Sequence, residues 1–212
     1  MTKLQVIIGS TRPDRAADLV APWVVRTAEG HGAFAVETLD LRDWPLPIFA
    51  ENRQTLGDPA DPTYSVEIVR AWNHRIAEAD AYLFITPEYN HSVPGVLKNA
   101  IDSVFASFAF RNKPAAFVGY SGGIAAGARA VEHLAQISIE AEMVPLRNTV
   151  LIPLVQSAFD EAGEPRNPMT AAALQIVLED LAWWSAVCQR ARAEGQLPPG
   201  MMRMMAATAG PK

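Results

Sequence analysis

Residues 9–15 follow a short apolar run and contain the residue types of a phosphate-binding turn. A turn between a strand and a helix directs free backbone N–H groups and the positive helix end towards one point. Ser10 and Thr11 supply hydroxyl groups, and Arg12 and Arg15 supply guanidinium donors that suit an anion. The segment lacks the lysine ending of triphosphate loops and the spaced glycines of dinucleotide loops. It therefore favours the phosphate of a single mononucleotide, with a helix cap bearing exposed arginines as the alternative.

A second polar loop, residues 86–95, separates an apolar segment from a stretch with helical spacing. Its prolines, Pro87 and Pro94, restrict the backbone, so that N–H and C=O groups are presented in a fixed arrangement. This arrangement suits the polar edge of a flat heterocycle, and the alternative is an ordinary loop whose polar side chains satisfy its own turn. The one histidine has no second ligand at metal-binding spacing, so no metal site is predicted. The candidate contacts are Pro87, Glu88, Tyr89, Asn90 and His91.

A third loop, residues 119–127, contains paired glycines after another apolar segment. Gly122 and Gly123 lack Cβ atoms, which lets the backbone approach a planar ligand closely. Together with Ser121 they form the third group of candidate contacts. A flexible turn without a ligand is the alternative here.

Short apolar runs alternate with amphipathic segments along most of the chain. The apolar runs predict strands at residues 4–8, 33–41, 81–86, 114–120 and 144–152. The periodic segments predict helices at residues 16–28, 63–79, 94–107, 125–141 and 168–194. Residues 43–62 contain several prolines and show little periodicity, so we predict a long surface loop there.

This order predicts an α/β fold, because continuous apolar strands that alternate with helices form parallel sheets covered on both faces. Right-handed crossovers leave few topologies, and a doubly wound five-stranded sheet of order 2-1-3-4-5 is favoured. Ligands bind such sheets beyond the carboxyl ends of the strands, between strands 1 and 3. The three polar loops follow strands 1, 3 and 4, so we expect them to meet there.

The chain has 212 residues, a length typical of one domain, which we place at residues 1–196. Residues 197–212 are rich in methionine and proline, and we expect a tail that is mobile or packed on a neighbouring subunit. The net charge of −5 argues against binding to nucleic acid or to an anionic membrane. The only cysteine is Cys188, and neither a signal peptide nor a membrane span is evident. A reducing cytoplasm is therefore the expected location.

Together, the three loops resemble the NADPH-dependent FMN reductase family, which includes flavodoxin-like quinone and azo-dye reductases. The matching segments are residues 9–12 with Arg15, residues 87–102 and residues 121–123. The middle segment is long and specific, and the outer two fall after the strands that a doubly wound sheet requires. The resemblance implies a flavodoxin-like fold.

The resemblance also implies FMN as the cofactor and assigns a part of it to each loop. The phosphate is expected at Ser10, Thr11, Arg12 and Arg15. The isoalloxazine ring is expected along Pro87, Glu88, Tyr89, Asn90 and His91, with Ser121, Gly122 and Gly123 on its other side. Members of the family are usually dimers or tetramers, so we expect a homodimer or homotetramer with the flavin near a subunit interface.

The implied reaction passes hydride from NADPH or NADH through FMN to a small acceptor, namely a quinone, a flavin or an azo compound. Because the cofactor supplies the chemistry, no catalytic side chain is predicted. A flavodoxin-like electron carrier and a flavin-dependent redox sensor, both without reductase turnover, are the alternatives, since a fold does not determine function.

Overall fold

The computed structural model describes residues 1–52, 54–58, 61–62 and 64–209. The strands are β1 (Thr2–Ile8), β2 (Phe34–Asp40), β3 (Gly57–Asp58), β4 (Asp61–Pro62), β5 (Ala81–Pro87), β6 (Pro114–Tyr120), β7 (Val144–Pro145) and β8 (Val150–Ile152). The main sheet has the order β2-β1-β5-β6-β7, with β8 also paired to β6, and every pairing in it is parallel. β3 and β4 form a separate antiparallel hairpin. Without that hairpin, the strand order along the chain is 2-1-3-4-5, which confirms the prediction.

The three central strands are apolar because both faces of the sheet are covered. β5 and β6 are buried at every residue, and β1 is buried from Leu4 to Ile8. The register places Ile8 beside Ile85, and Thr86 beside Gly119. The carboxyl ends of these strands therefore lie next to one another, and so do the loops that follow them.

The helices cover both faces of this sheet, as predicted. The covering helices are α1 (Ala17–Gly30), α2 (Glu67–Ala77), α3 (Gly95–Asp102), α4 (Ala128–Glu140) and α5 (Pro168–Glu194), and α6 (Gly200–Thr208) follows them in the chain. On one face, α1 and α5 pack through a core that includes Val20 and Leu178. On the other face, α2, α3 and α4 pack through a core that includes Trp72, Leu97 and Leu134.

Several predicted elements differ from the structure in their bounds. The strand predicted at residues 144–152 is wrong as a single element, because the chain leaves the sheet between β7 and β8. The helix predicted at residues 94–107 ends at Asp102 and is followed by a separate 3-10 turn at Phe105–Ser107. The predicted loop at residues 43–62 contains the β3–β4 hairpin. Residues 53, 59 and 60 of that loop, and Thr63 of the second predicted helix, lie outside the described residues.

The helix predicted at residues 125–141 begins only at Ala128. Ala126 and Gly127 precede it with φ angles of 58° and 82°, which are left-handed and interrupt a right-handed helix. The polar loop after β6 is therefore longer than the periodicity predicts, and its end is held against the sheet.

The last predicted core helix, α5, is confirmed at both ends. Asn167 caps it by accepting a hydrogen bond from the Met169 N–H at 3.0 Å, and Pro168 occupies the first turn. Among the described helices, α5 alone has the length and apolar composition to cross a membrane, a property that the sequence analysis did not detect. One face of α5 is buried in the core through side chains that include Leu174 and Leu181.

The segment after α5 contains a further helix, α6, within the predicted tail. The Gly200 N–H donates a hydrogen bond to Glu142 Oε1 at 3.1 Å, which connects the start of α6 to the turn after α4. Residues 210–212 of the tail lie outside the described residues.

Candidate active site

The carboxyl ends of β1, β5 and β6 open into a cleft with a volume of about 550 Å3. Its position beyond β1 and β5 is the one at which doubly wound sheets bind ligands, and its size suits a small molecule. Seven of the predicted site residues line it: Arg12, Arg15, Pro87, Glu88, Tyr89, Ser121 and Gly122. The three loops predicted from sequence thus meet at one place.

One side-chain hydrogen bond joins the first loop to the second. Ser10 is fully buried, and its Oγ lies 2.8 Å from Tyr89 Oη. The guanidinium of Arg12 lies over the ring of the same tyrosine, 5.5 Å from the ring centroid, in the geometry of a cation–π contact. Because Arg12 is exposed and lines the cleft, its charge is accessible to an anion there.

Arg15 also lines the cleft, but carboxylates hold its guanidinium. Its side chain is only 3% exposed, and it pairs with Asp18 at 2.9 Å and with both oxygens of Asp40. The hydrogen bonds that Arg15 donates to Asp40 raise the pKa of Arg15 above its ordinary value. Burial alone would raise the pKa of Asp40, but hydrogen bonds from Arg15 and from the Arg42 N–H lower it. Arg15 therefore fixes the shape of the loop, and Arg12 is the more accessible cation.

The second loop makes a tight turn that α4 supports. Two backbone hydrogen bonds close the turn, from the Tyr89 N–H to the Ser92 carbonyl at 2.9 Å and from the Ser92 N–H to the Tyr89 carbonyl at 3.1 Å. Between them, Asn90 and His91 have left-handed φ angles of 48° and 73°. Ser92 Oγ also lies 2.9 Å from His133 Nδ1 of α4.

An ion pair between a buried carboxylate and a partly exposed arginine makes a second connection between this loop and α4. The Glu88 side chain is only 5% exposed and pairs with Arg129, whose Nη1 lies 3.1 Å from His91 Nδ1. Because burying a carboxylate without a cation beside it is costly, the contact with Arg129 stabilises this position of Glu88. Contacts with α4, on the side away from the cleft, thus fix the backbone of the second loop.

The third loop is connected to the segment after β8 by backbone hydrogen bonds. The Ser121 N–H donates to the Ile152 carbonyl, and the Val155 N–H donates to the Ser121 carbonyl, both at 3.1 Å. A Cβ atom at Gly122 would lie 3.3 Å from Gln156 Nε2, so a larger residue would displace that amide. The glycine keeps this wall of the cleft thin.

Five predicted site residues do not line the cleft. Ser10 lies behind it, and Thr11 lines a neighbouring groove of about 350 Å3 beside Trp44. The carbonyl of Gly123 accepts hydrogen bonds from Ser121 and Leu154. Asn90 and His91 form the tip of the turn described above.

The structure adds cleft residues that sequence reasoning did not select, including Asp14, Asp18, Tyr120, Val155 and Gln156. Tyr120 ends β6, and Val155 and Gln156 follow β8, so all three lie at the carboxyl edge of the sheet where ligands are expected. That topological position was the available signal, because no short motif marks these residues.

The polar groups of the cleft fit a phosphorylated, flat ligand. Burial raises the pKa of the Tyr120 hydroxyl, whereas the nearby Ser10 side chain lowers it, and no close hydrogen bond satisfies this hydroxyl among the described residues. Arg12 supplies positive charge, whereas the carboxylate of Asp18 is paired with Arg15 and Arg42. The cleft thus offers a cation, a free hydroxyl and a thin glycine wall, which are suited to the phosphate, polar atoms and plane of FMN.

Comparison with known proteins agrees with this geometry. The family described as NADPH-dependent FMN reductase matches residues 2–156. The chain is 38% identical over 153 residues to an NAD(P)H-dependent FMN reductase of Pseudomonas aeruginosa, covering 71% of this chain and 78% of the relative. It is 30% identical over 186 residues to a 2-hydroxy-1,4-benzoquinone reductase of a Burkholderia species, covering 86% and 95%.

The fold is also similar to a solved structure, the flavoenzyme FerB, an NAD(P)H:(acceptor) oxidoreductase from Paracoccus denitrificans. The TM-score is 0.68 with 28% sequence identity, and the match covers 88% of this chain and 98% of FerB. The flavodoxin-like fold, the converging loops and the matched sequence agree with one another. The chain therefore belongs to the NADPH-dependent FMN reductase family, a family of oxidoreductases that take electrons from NAD(P)H and use FMN.

Proposed function

We propose that this chain holds FMN in the cleft beyond β1, β5 and β6 and reduces a small acceptor, namely a quinone, a free flavin or an azo compound, at the expense of NADPH or NADH. FMN, when bound, accepts hydride from the nicotinamide and delivers electrons to the acceptor. The observation that carries the proposal is the meeting of the three loops at one cleft, with an accessible arginine on its wall.

The phosphate end of the cofactor is assigned to the first loop. Arg12 would supply the charge, and the backbone N–H groups before α1 would supply further donors. Ser10, whose hydroxyl contacts Tyr89, and Thr11, which lines the neighbouring groove, do not line the cleft and would act through their place in the loop. Arg15 would act chiefly by holding the loop through its carboxylate partners.

The ring end is assigned to the second and third loops. Pro87, Glu88 and Tyr89, which line the cleft, would present mainly backbone atoms to it, and Asn90 and His91 would hold the turn that positions them. Ser121 and Gly122 would line its other side, and Gly123 would hold that wall through the hydrogen bonds that its carbonyl accepts. The support for this assignment is the rigidity of both loops, because fixed donors stabilise developing charge without reorganisation. No side chain is assigned a catalytic role.

We further propose that residues 1–196 act as one cytoplasmic domain and that the chain works as a homodimer or homotetramer. Exposed large apolar side chains support self-association, among them Ile48, Trp183 and Met204. The burial of one face of α5 in the core supports a location away from membranes.

A steady-state panel tests the proposed activity. Purified protein with FMN is assayed with NADH and with NADPH against a small quinone, free FMN and an azo dye. The proposal predicts turnover with at least one acceptor, at a rate that does not depend on a partner protein. Flavin binding without turnover of any acceptor would contradict it and would favour an electron carrier.

A further inference from the structure

The outward face of α5 carries a stripe of exposed residues that alternate in spacing by three and four. The outer stripe consists of Met169, Ala172, Ile176, Glu179, Trp183, Ala186, Arg190 and Ala193, and all eight are exposed. This spacing is the heptad pattern by which one helix packs against another.

The stripe lies opposite the face that α5 buries in the core, which includes Leu174, Val177 and Leu181. A surface helix ordinarily has a polar outward face, whereas this one leaves Ile176 47% exposed and Trp183 61% exposed. A helix that is apolar on both faces is typical of one that is covered on both.

The two charged members of the outer stripe are Glu179 and Arg190. Neither forms an ion pair within the part of the chain that the structure describes. They are separated by eleven residues on one stripe, too far apart to pair with each other on the same helix. Both charges are therefore available to pair with opposite charges on a second molecule, although Glu194 lies one turn from Arg190 on the same helix.

We propose that the outer stripe binds the outer stripe of a second copy of this chain, with the two helices antiparallel. The two-fold axis passes between the levels of Trp184 and Ser185. In this register Trp183 packs against Ala186 of the partner subunit, and Ala186 packs against the partner's Trp183. A large side chain thus meets a small one in both central layers, which is the condition for close packing.

The same register pairs the charges. Glu179 lies opposite Arg190 of the partner subunit, and by symmetry Arg190 lies opposite the partner's Glu179. In the next layers outward, Ile176 lies opposite Ala193 of the partner subunit. Complementary charge therefore flanks a central layer of tryptophan and alanine on both sides.

Other arrangements of the two helices lose this complementarity. A parallel arrangement in register places Glu179 beside Glu179, Arg190 beside Arg190 and Trp183 beside Trp183. Sliding the antiparallel pair by one heptad in either direction places Arg190 opposite an alanine and removes both ion pairs. The antiparallel register above is therefore selected by charge and by side-chain size together.

Charge reversal tests both the face and the register. Glu179→Arg and Arg190→Glu each create two like-charge contacts, so each single variant should lose half the native mass in sedimentation equilibrium, with association weakened by about tenfold or more. An equal mixture of the two single variants, and the double variant, should both recover the native mass, because each restores opposite charges across the axis. Glu161→Arg, an equal charge change in an exposed loop, should leave the mass unchanged.

Recovery of mass in the mixture also shows that the single variants are folded. The proposal is overturned if the native chain is monomeric at about 100 μM, if the single variants keep the native mass, or if the mixture stays dissociated. It is overturned equally if the native chain is monomeric and binds phosphatidylcholine vesicles through this face. Because mass is measured without FMN or nicotinamide, the result is independent of the proposed reductase activity.

Discussion

At the scale of single residues, two arginines of one loop have different surroundings and therefore different expected roles. Arg12 is exposed at the cleft and contacts the ring of Tyr89, whereas Arg15 is buried against Asp18 and Asp40. Sequence alone assigns both to a phosphate, because the partner Asp40 lies 25 residues away, a long-range contact that no local pattern reveals.

Replacing Arg12 by alanine should weaken the binding of FMN more than the binding of riboflavin, because only FMN carries the phosphate. Loss of one charge-assisted contact costs about 1.5–3 kcal/mol, or roughly ten- to 150-fold in the dissociation constant. Fluorescence titration with both ligands measures the difference. Arg26→Ala, which removes an exposed arginine of α1, serves as the control. Equal losses for both ligands would show that the first loop does not bind the phosphate.

Replacing Asp40 by asparagine should destabilise the protein and change its response to acid. Removing the carboxylate that pairs with the buried Arg15 costs about 1–3 kcal/mol at pH 7, since Asp40 itself is partly exposed. The pKa of Asp40 is lower in the folded chain, so the carboxylate stabilises the fold above its unfolded pKa, and that contribution is lost as pH falls through the lower folded value. The midpoint temperature of thermal unfolding should therefore fall less steeply between pH 7 and pH 3 in Asp40→Asn than in the native chain. Parallel curves for the two proteins would contradict this.

At the scale of elements, the backbone after β6 depends on one glycine. Gly127 has a φ of +82°, and a Cβ atom there would lie 2.5 Å from the Tyr120 nitrogen. Gly127→Ala should therefore lower the free energy of unfolding by roughly 1–3 kcal/mol. Gly30→Ala is the matched control, because a Cβ at Gly30 meets no heavy atom within 4 Å. Denaturant unfolding compares the two, and equal stabilities would refute the close approach.

Because α4 supports the second loop, a change in α4 should affect the affinities for FMN and riboflavin differently from a change at Arg12. Arg129→Ala removes the cation beside the buried Glu88 and should distort the loop, which faces the ring rather than the phosphate. The binding of FMN and the binding of riboflavin should then weaken by the same factor. A loss of about 1–2 kcal/mol corresponds to a dissociation constant roughly five- to 30-fold higher. Arg129→Lys should retain most of the affinity, since it keeps the charge. A loss confined to FMN would contradict the assignment of this loop to the ring.

Sequence periodicity predicts elements better than it predicts their ends. The buried strands β5 and β6 are continuous apolar runs and appear as predicted. The late start of α4 depends on the positive φ of Ala126, an alanine whose type does not reveal that conformation. The break between β7 and β8 is likewise set by pairing with β6, which is a tertiary interaction.

At the scale of the whole molecule, the topology was predictable because few doubly wound orders satisfy right-handed crossovers. The same rule located the cleft, and three motifs indicated its cofactor. The residues after β8 were missed because Val155 and Gln156 belong to no motif and reach the cleft only through the strand order. The outer stripe of α5 was missed as well, because an apolar helix gives no sign of which face the core covers.

The central claim is that this chain binds FMN and receives electrons on it from a reduced nicotinamide. The most direct test is to add FMN to the purified protein and then add NADPH or NADH without oxygen, while recording absorbance at about 450 nm, where the flavin ring absorbs. We expect that the bound flavin bleaches and that a small quinone restores the colour. A flavin spectrum that the protein does not change, or bound flavin that keeps its colour with both nicotinamides, would contradict the proposed function.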